Sequence, residues 1–238
     1  NNFIIMIGIL GGMGTQAGLD FCNKLAKINR GKLDQQYPLF VLYNKSDTPK
    51  RPENLKKYFN VLNALVKGCK MLQKNKCKFI VMPCNTAHYW YDDIQKKINI
   101  PILSMPKEVF LDTKKTCKKN SKIGLLSTEA TLETKVYHKY FDKDFQLVSP
   151  INSLQKTSVN KSIKYVKMGK IKEAEKAIRP AVNYLMKIKC KKIILGCTEL
   201  PIAIFAFKSF KKIKQSKIFI DPNLLLANVS MKKYKNLK

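Results

Sequence analysis

Short apolar runs rich in β-branched residues alternate along this chain with longer stretches whose apolar positions recur every three or four residues. The first pattern reads as buried strands and the second as amphipathic helices. It predicts strands over 4–10, 38–43 and 78–83, with helices over about 15–28, 54–74 and 86–97 between and after them. IPILSM (100–105) reads as a strand or crossover into a second series. That series has strands over 122–126, 145–148 and 192–196, and helices over about 129–141, 158–168 and 171–188. A short helix follows Thr198, KIFID (217–221) reads as a last strand, and Asp221 and Pro222 open a closing helix. Strands alternating with helices imply parallel sheets and an α/β fold.

The two series repeat one another. MIGILGGMGTQAGLDFCNKL reads as strand, glycine turn and helix, and KIGLLSTEATLETKVYHKYF as strand, Ser/Thr turn and helix. Ile7 and Ile123 lie 116 positions apart, Cys84 and Cys197 lie 113 apart, and Cys77 and Cys190 each precede their partner by seven. A duplicated unit is the natural inference, with crossings between domains near 101–106 and 208–217. The division expected is 1–104 plus 218–238 as a first α/β domain containing Cys84, and 105–217 as a second containing Cys197. Both cysteines follow a strand pattern, in KFIVMPCNTAH and KKIILGCTEL, so each stands at a strand's carboxyl end. In open parallel sheets ligands bind at that edge.

Composition narrows the picture. At 238 residues with 45% hydrophobic content, the chain can bury a substantial core. Its net charge of +30 would ordinarily point to nucleic acid or an anionic membrane. Yet only Arg30, Arg51 and Arg179 of the 46 basic residues are arginines, and the lysines are spread over most helical faces instead of forming one stripe. A solvated lysine-rich surface is the preferred reading, with nucleic acid disfavoured as a partner. Seven cysteines without dense spacing, in an α/β pattern, favour a reducing cytosol. FIIMIGIL runs straight into GGMG and a helix and lacks a basic leader, so it reads as the first strand and not a signal core. No apolar run approaches the roughly 20 residues needed to span a bilayer.

Several chemistries fit parts of the pattern. The GGMG turn could bring backbone amides to an anion, but it lacks the G-x-G-x-x-G spacing of a dinucleotide site, and a smaller carboxylate is the preferred ligand. Cys84 with His88, or Cys197 with Glu199, could begin a metal site, although the chain has only two histidines, His88 and His138. The cysteines could also be inert small hydrophobes, the expected role of Cys22, Cys69, Cys77, Cys117 and Cys190. Cys84 and Cys197 differ in their neighbours, since Asn85, Thr86, Thr198 and Glu199 supply hydrogen-bonding groups and helix N-termini lower a thiol's pKa. Two opposed thiols would let one take a proton from a carbon while the other returns one to its opposite face. A Cys-His-Asp hydrolase is the rival, and it leaves one cysteine unexplained.

With IGILGGMG, MPCNTAHYWYDDI, GLLSTEATLETKVY, ILGCTELP and IDPNLLLA in this order, nearly the whole chain resembles the cofactor-independent aspartate/glutamate racemase superfamily, and within it the aspartate racemases. The resemblance implies two similar parallel-sheet α/β sandwich domains, related by pseudo-twofold symmetry, with the active site between them. It implies no PLP, no metal, a small dicarboxylic amino-acid substrate, a homodimer, a cytoplasmic setting and no membrane. Cys84 and Cys197 match the paired acid/base cysteines, the second serving the L-enantiomer and the first the D-enantiomer. Arg51 in TPKRPE and Lys167 in YVKMG match basic positions that clamp substrate carboxylates. Asn85, Thr86, Ser127, Thr128, Thr131, Thr198 and Glu199 match the polar shell around the substrate, with Met13 and Gly14 against it.

Departures from the family pattern fall in the first turn, where Thr15 stands in place of a proline and Gly18 in place of a bulkier residue, and in the loop NKSDTPKRPE. They bear on the substrate more than on the reaction. The expected function is thus PLP-independent interconversion of L- and D-aspartate, with glutamate next. Another superfamily reaction at an activated carbon, such as maleate isomerisation, and a non-catalytic binding protein for an acidic ligand or nucleic acid remain the alternatives.

Overall fold

A computed structural model describes residues 5–29, 33–206, 210 and 217–237. The chain divides into two compact units, 1–108 with 223–238, and 109–222. The first contains strands β1 (Ile7–Gly11), β2 (Phe40–Asn44), β3 (Phe79–Val81) and β4 (Ile102–Leu103). They form one parallel sheet in the order β2-β1-β3-β4. Helices α1 (Thr15–Ile28), α2 (Tyr58–Lys74) and α3 (Tyr91–Gln95) connect them. Every residue of β1 and β3 is buried, which is why both read as unbroken apolar runs without alternation. One face of the sheet packs Leu10, Ile80 and Met82 against Leu62, Leu65 and Leu72 of α2. The other sets Ile7, Ile9, Phe79 and Val81 against Phe21 and Leu25 of α1 and Leu226 and Met231 of the closing helix.

Helix α4 (Met105–Thr116) begins in the first unit and ends in the second, where β5 (Lys122–Ser127) follows. Helices α5 (Glu129–Glu133) and α6 (His138–Phe141) precede β6 (Gln146–Val148). Next come α7 (Asn152–Leu154), a π-helical turn (Gln155–Asn160), α8 (Lys161–Lys167) and α9 (Ile171–Lys187). Strand β7 (Lys192–Gly196), α10 (Leu200–Phe205), β8 (Phe219–Ile220) and the closing helix α11 (Pro222–Leu237) complete the chain. The second sheet is also parallel, in the order β6-β5-β7-β8, so its topology repeats that of the first.

Four expectations change. Residues 218–222 were grouped with the first unit, but Phe219 and Ile220 pair with Ile193 and Ile194 of β7 and belong to the second sheet. Conversely 105–108 fall with the first unit. The helix expected over 129–141 is two pieces, because Lys135 sits between them at φ 52°, a left-handed conformation that no helix continues. The expected helix over 158–168 starts earlier, at Asn152, and contains the π turn. Ile4, in the first expected strand, and most of the crossing expected at 208–217 lie outside the described residues. Among the described residues no helix is long and apolar enough to cross a membrane.

The π turn has an identifiable anchor. Helix α9 carries Pro180, which has no backbone N–H. Beside it the buried Ser158 hydroxyl donates to the carbonyl of Ala177 and accepts from the N–H of Ala181 at 3.2 Å. One side chain of the π turn is thereby bonded to both backbone groups of the helix rung next to the proline. Ser158→Ala withdraws both bonds inside the core, at a cost of about 1–3 kcal/mol. Thermal denaturation should show the midpoint falling by several degrees, whereas Lys156→Ala on the exposed side of the same turn should leave it nearly unchanged.

Candidate active site

In each sheet the cysteine strand lies beside the strand that opens the unit, so a turn and a thiol share one carboxyl edge. In the first unit the pairing ends with Ile9 opposite Val81, so the turn after Gly11 and the segment that carries Cys84 leave the sheet at the same edge. In the second the pairing runs to the last residues, Ser127 opposite Gly196, which sets Thr128 beside Cys197. Sequence spacing had placed both thiols at strand ends. The pairing shows which turn shares an edge with each one.

The first turn is fixed by close backbone approach. Gly12 has φ 88°, and a Cβ there would collide with the backbone of Lys45 in the loop after β2, so only glycine fits. Arg51 in that loop donates from one guanidinium nitrogen to Met13 O at 2.8 Å and from another to Pro49 O at 3.1 Å. The residue read as a carboxylate clamp is thus also the tie between loop and turn, with two of its five N–H donors engaged. Thr15, at the departure from the family pattern, accepts from Asn44 Nδ2 at 3.2 Å, a third tie between the same two segments. Gly18 faces inward, where a Cβ would press on Leu42 and Gly11, so this departure serves the packing of α1 on the sheet. Gly14 and Thr15 are exposed, and the space beside Gly14 is open.

Cys84, Asn85 and Thr86 are buried at the entry to a 3₁₀ turn, Thr86–Trp90, where a regular helix over 86–97 was expected. The Cys84 carbonyl meets His88 Nδ1 at 2.9 Å, and the Met105 N–H at the start of α4 donates to His88 Nε2 at 3.1 Å. Because a backbone N–H can only donate, Nε2 is the acceptor and Nδ1 carries the proton given to Cys84 O. Burial holds the imidazole pKa down at about 4, so the ring is neutral at physiological pH. Both nitrogens are spent on backbone, which removes His88 from the metal and hydrolase readings. Among the described residues no group of three or more His, Cys, Asp or Glu is placed to hold a metal ion.

In the second unit Cys197 is buried and its Sγ donates to Glu199 Oε2 at 2.9 Å. Thr198 Oγ1 donates to the same oxygen at 3.1 Å, and Lys167 Nζ stands 3.8 Å from Oε1. Burial first, and then the charge and hydrogen bond of Glu199, push the Cys197 thiol well above its ordinary pKa. This corrects the expectation of a thiol acidified by a helix N-terminus. The dipole term is worth about 0.3–1 kcal/mol. A tenfold change in acidity takes about 1.4 kcal/mol, and burial alone shifts a group by up to about 3–5 pH units, so burial and the carboxylate win. Cys197 is therefore held as a thiol, a proton donor with a defined partner. Lys167, mostly exposed at the end of α8, faces Glu199 instead of standing alone as a clamp.

Beside it, Thr128 caps α5 by accepting the Thr131 N–H at 3.2 Å, and the two hydroxyls lie 3.0 Å apart. Ser127 Oγ donates to Thr128 O at 3.3 Å. Thus Met13, Gly14 and Arg51 gather at one turn, with Cys84, Asn85 and Thr86 on the neighbouring strand end. Ser127, Thr128 and Thr131 form a third group, and Lys167, Cys197, Thr198 and Glu199 a fourth. The sequence reading missed Gln155 and Asn160, polar residues in a polar stretch with no motif to mark them. It also missed the backbone role of His88, which its i+4 spacing from Cys84 could have suggested.

Fold and side chains together define a class: a doubled parallel α/β protein with a buried cysteine just past the end of one strand in each sheet. A profile of the Asp/Glu/Hydantoin racemase family matches residues 10–228, and the chain belongs to that family, as an amino-acid racemase. It is similar to the broad specificity amino-acid racemase RacX of Bacillus subtilis (strain 168), with 28% identity over 202 residues, 82% of this chain and 86% of that protein. In structure it is similar to Picrophilus torridus aspartate racemase, with a TM-score of 0.79, 32% identity, and coverage of 97% of this chain and 94% of that one. The glutamate racemase of Francisella tularensis in complex with D-glutamate shares the fold, at a TM-score of 0.67 and 18% identity, over 98% of this chain and 82% of that one.

The state of Cys197 is directly measurable. Glu199→Gln removes the negative charge that holds the proton on sulfur, so more thiolate is present at a given pH. Peptide-resolved alkylation at pH 8 should proceed faster at Cys197 in that variant than in the wild type. An unchanged or slower rate would mean that the carboxylate does not control this thiol.

Proposed function

We propose that the chain interconverts L- and D-aspartate without a cofactor, with Cys84 and Cys197 as the two acid/base groups. The observation that carries this reading is the Cys197 thiol bonded to Glu199 at the end of β7, with Cys84 at the matching strand end of a sheet of the same topology. From D-aspartate, a Cys84 thiolate takes the Cα proton while the Cys197 thiol gives its own to the opposite face, yielding L-aspartate. The enzyme is then left with a Cys84 thiol and a Cys197 thiolate, the form that accepts a proton from the L-enantiomer. The reaction is thus its own reversal. Glu199 favours the protonated form of Cys197, and the Lys167 ammonium offsets the two adjacent negative charges when that proton leaves. The Thr128–Thr131 hydroxyl pair, which uses one of its two protons internally, and the amide of Asn85 supply donors for the carboxylate on which negative charge develops, while Thr198 spends its proton on Glu199. The homodimer and the cytoplasmic setting belong to the same proposal, and gel filtration with light scattering tests the first.

A wider substrate range is the second reading. Arg51 already spends donors on Met13 and Pro49, and Lys167 faces Glu199, so neither basic group is reserved for substrate. The printed name of the Bacillus subtilis relative points the same way.

Incubation of dialysed, EDTA-treated protein with each amino acid in deuterium oxide, followed by chiral chromatography and mass spectrometry, tests both. Aspartate should racemise with deuterium entering Cα, and Cys84→Ser and Cys197→Ser should each lower the rate by at least about a hundredfold. A near-wild-type rate in either variant would defeat the two-thiol mechanism, and the absence of Cα exchange would defeat the functional reading.

Specificity is read from the same assay. Loss of a charge-assisted contact costs about 1.5–3 kcal/mol, or roughly ten- to a hundredfold in kcat/KM. Aspartate should exceed alanine by at least about tenfold, with Arg51→Ala narrowing the gap and Arg51→Lys impaired by loss of the planar fork. A wild type that prefers neutral amino acids would select the wider reading.

A further inference from the structure

Gln155 opens the π turn and is 4% exposed, yet it belongs to none of the groups already described. Its Nε2 donates to the carbonyl of Ser127 at 2.9 Å and to Asn160 Oδ1 at 2.8 Å. Asn160 in turn donates from Nδ2 to Glu129 Oε1 at 2.9 Å. The direction of this chain is forced. A carboxylate and a backbone carbonyl only accept, so Asn160 must present its oxygen to Gln155, and Gln155 must present its nitrogen to both neighbours. Turning the carboxamide over would set oxygen against oxygen twice. In the orientation that remains, Gln155 Oε1 is buried and finds no hydrogen-bond partner among the described residues.

A buried acceptor without a partner is a standing cost, and a residue that served packing alone would be better replaced by an apolar one of the same length. What that cost secures is the position of Ser127 O. Ser127 ends β5 opposite Gly196, one residue before Cys197, and begins the turn whose next residue, Thr128, caps α5 and meets Thr131. Ser158, in the same π turn, is bonded to α9 on both sides, so Gln155 reaches the strand end from a braced segment. π turns inside helices recur at functional sites because they aim a side chain that a regular helix would send elsewhere.

We propose that Gln155 is a positioning residue for the Cys197 half of the site, setting the Ser127–Thr131 turn through the Ser127 carbonyl. It acts through that turn and not by touching substrate. The proposal rests on the racemase reading above and deepens it.

The test compares wild type, Gln155→Met, which keeps the length and apolar packing but donates nothing, and Asn160→Ala, which loosens the same carboxamide from its partly exposed end. Racemisation of aspartate gives kcat and KM, and thermal denaturation gives the midpoint. Gln155→Met should lower kcat at least about tenfold with KM within about threefold of wild type and a midpoint within a few degrees, because one orphaned acceptor is removed as two others appear. Asn160→Ala should lower kcat by a smaller factor in the same direction. A kcat within about twofold of wild type in Gln155→Met would overturn the proposal, as would kcat, KM and midpoint deteriorating together, the pattern of a merely structural residue. Should Gln155→Met fail to fold, an unchanged kcat in Asn160→Ala overturns it. If wild-type protein exchanges no Cα proton, the functional reading has failed. If wild type racemises and the variants match it, only the role of Gln155 has failed.

Discussion

The pairing of each cysteine strand with the strand that opens its unit is the constraint on which the half-sites depend. Parallel pairing aligns carboxyl ends, so β1 with β3, and β5 with β7, each deliver a turn and a thiol to one edge. Burial on both faces leaves no room for a slip in register, since moving β7 by one residue would turn Ile193, Ile194 and Leu195 out of their places. The core therefore fixes where the chemistry stands. Local bonds then decide what each thiol is, and here the two halves part company.

In the first half the groups near Cys84 are spent on backbone. His88 ties the Cys84 carbonyl to the first amide of α4, and Arg51 ties the turn at Met13 to the loop after β2. In the second half, side chains act on the thiol itself: Glu199 accepts from Cys197 and Thr198 together, with Lys167 behind it. The residue two places after the cysteine is Thr86 in one half and Glu199 in the other, and Glu199 places a carboxylate against the Cys197 sulfur. A duplicated fold thus surrounds its two strand-end cysteines with different side chains.

How much of this was legible in the sequence depends on distance along the chain. Strand runs such as IILG and the glycine turn are local patterns whose physics is contained in a few neighbours, and they fell where expected. The sheet assignment of 219–220 did not, because a short apolar run pairs with either sheet equally well until tertiary packing decides. The break at Lys135 escaped because its left-handed backbone is imposed by context and is marked by no glycine. At the site, residue types were legible and their bonds were not. Glu199 stood two places from Cys197 in plain view, yet its proximity to the thiol could be read equally as a substrate contact. Gln155 lies 28 positions from the carbonyl it holds, and nothing in NSLQKTSVNKS distinguishes it from a surface residue.

The lysine excess bears on the same asymmetry. Loss of the proton from Cys197 would set two negative charges a few ångströms apart, at about 4 kcal/mol for a separation of 4 Å at the effective dielectric of a protein surface. One Lys167 at 3.8 Å from Glu199 offsets part of this, and its exposed side chain can follow either charge. Among the described residues Lys167 is the lysine whose charge bears on Cys197, and exposed charges farther apart than roughly 8 Å are largely screened at physiological salt. A net charge of +30 instead raises the local concentration of small anions around the protein, an effect on encounter rate that fades as salt rises. The acidity of Cys197 and the attraction of anions are therefore controlled by different features, the first by burial and Glu199 with Lys167 offsetting part of them, and the second by the surface as a whole.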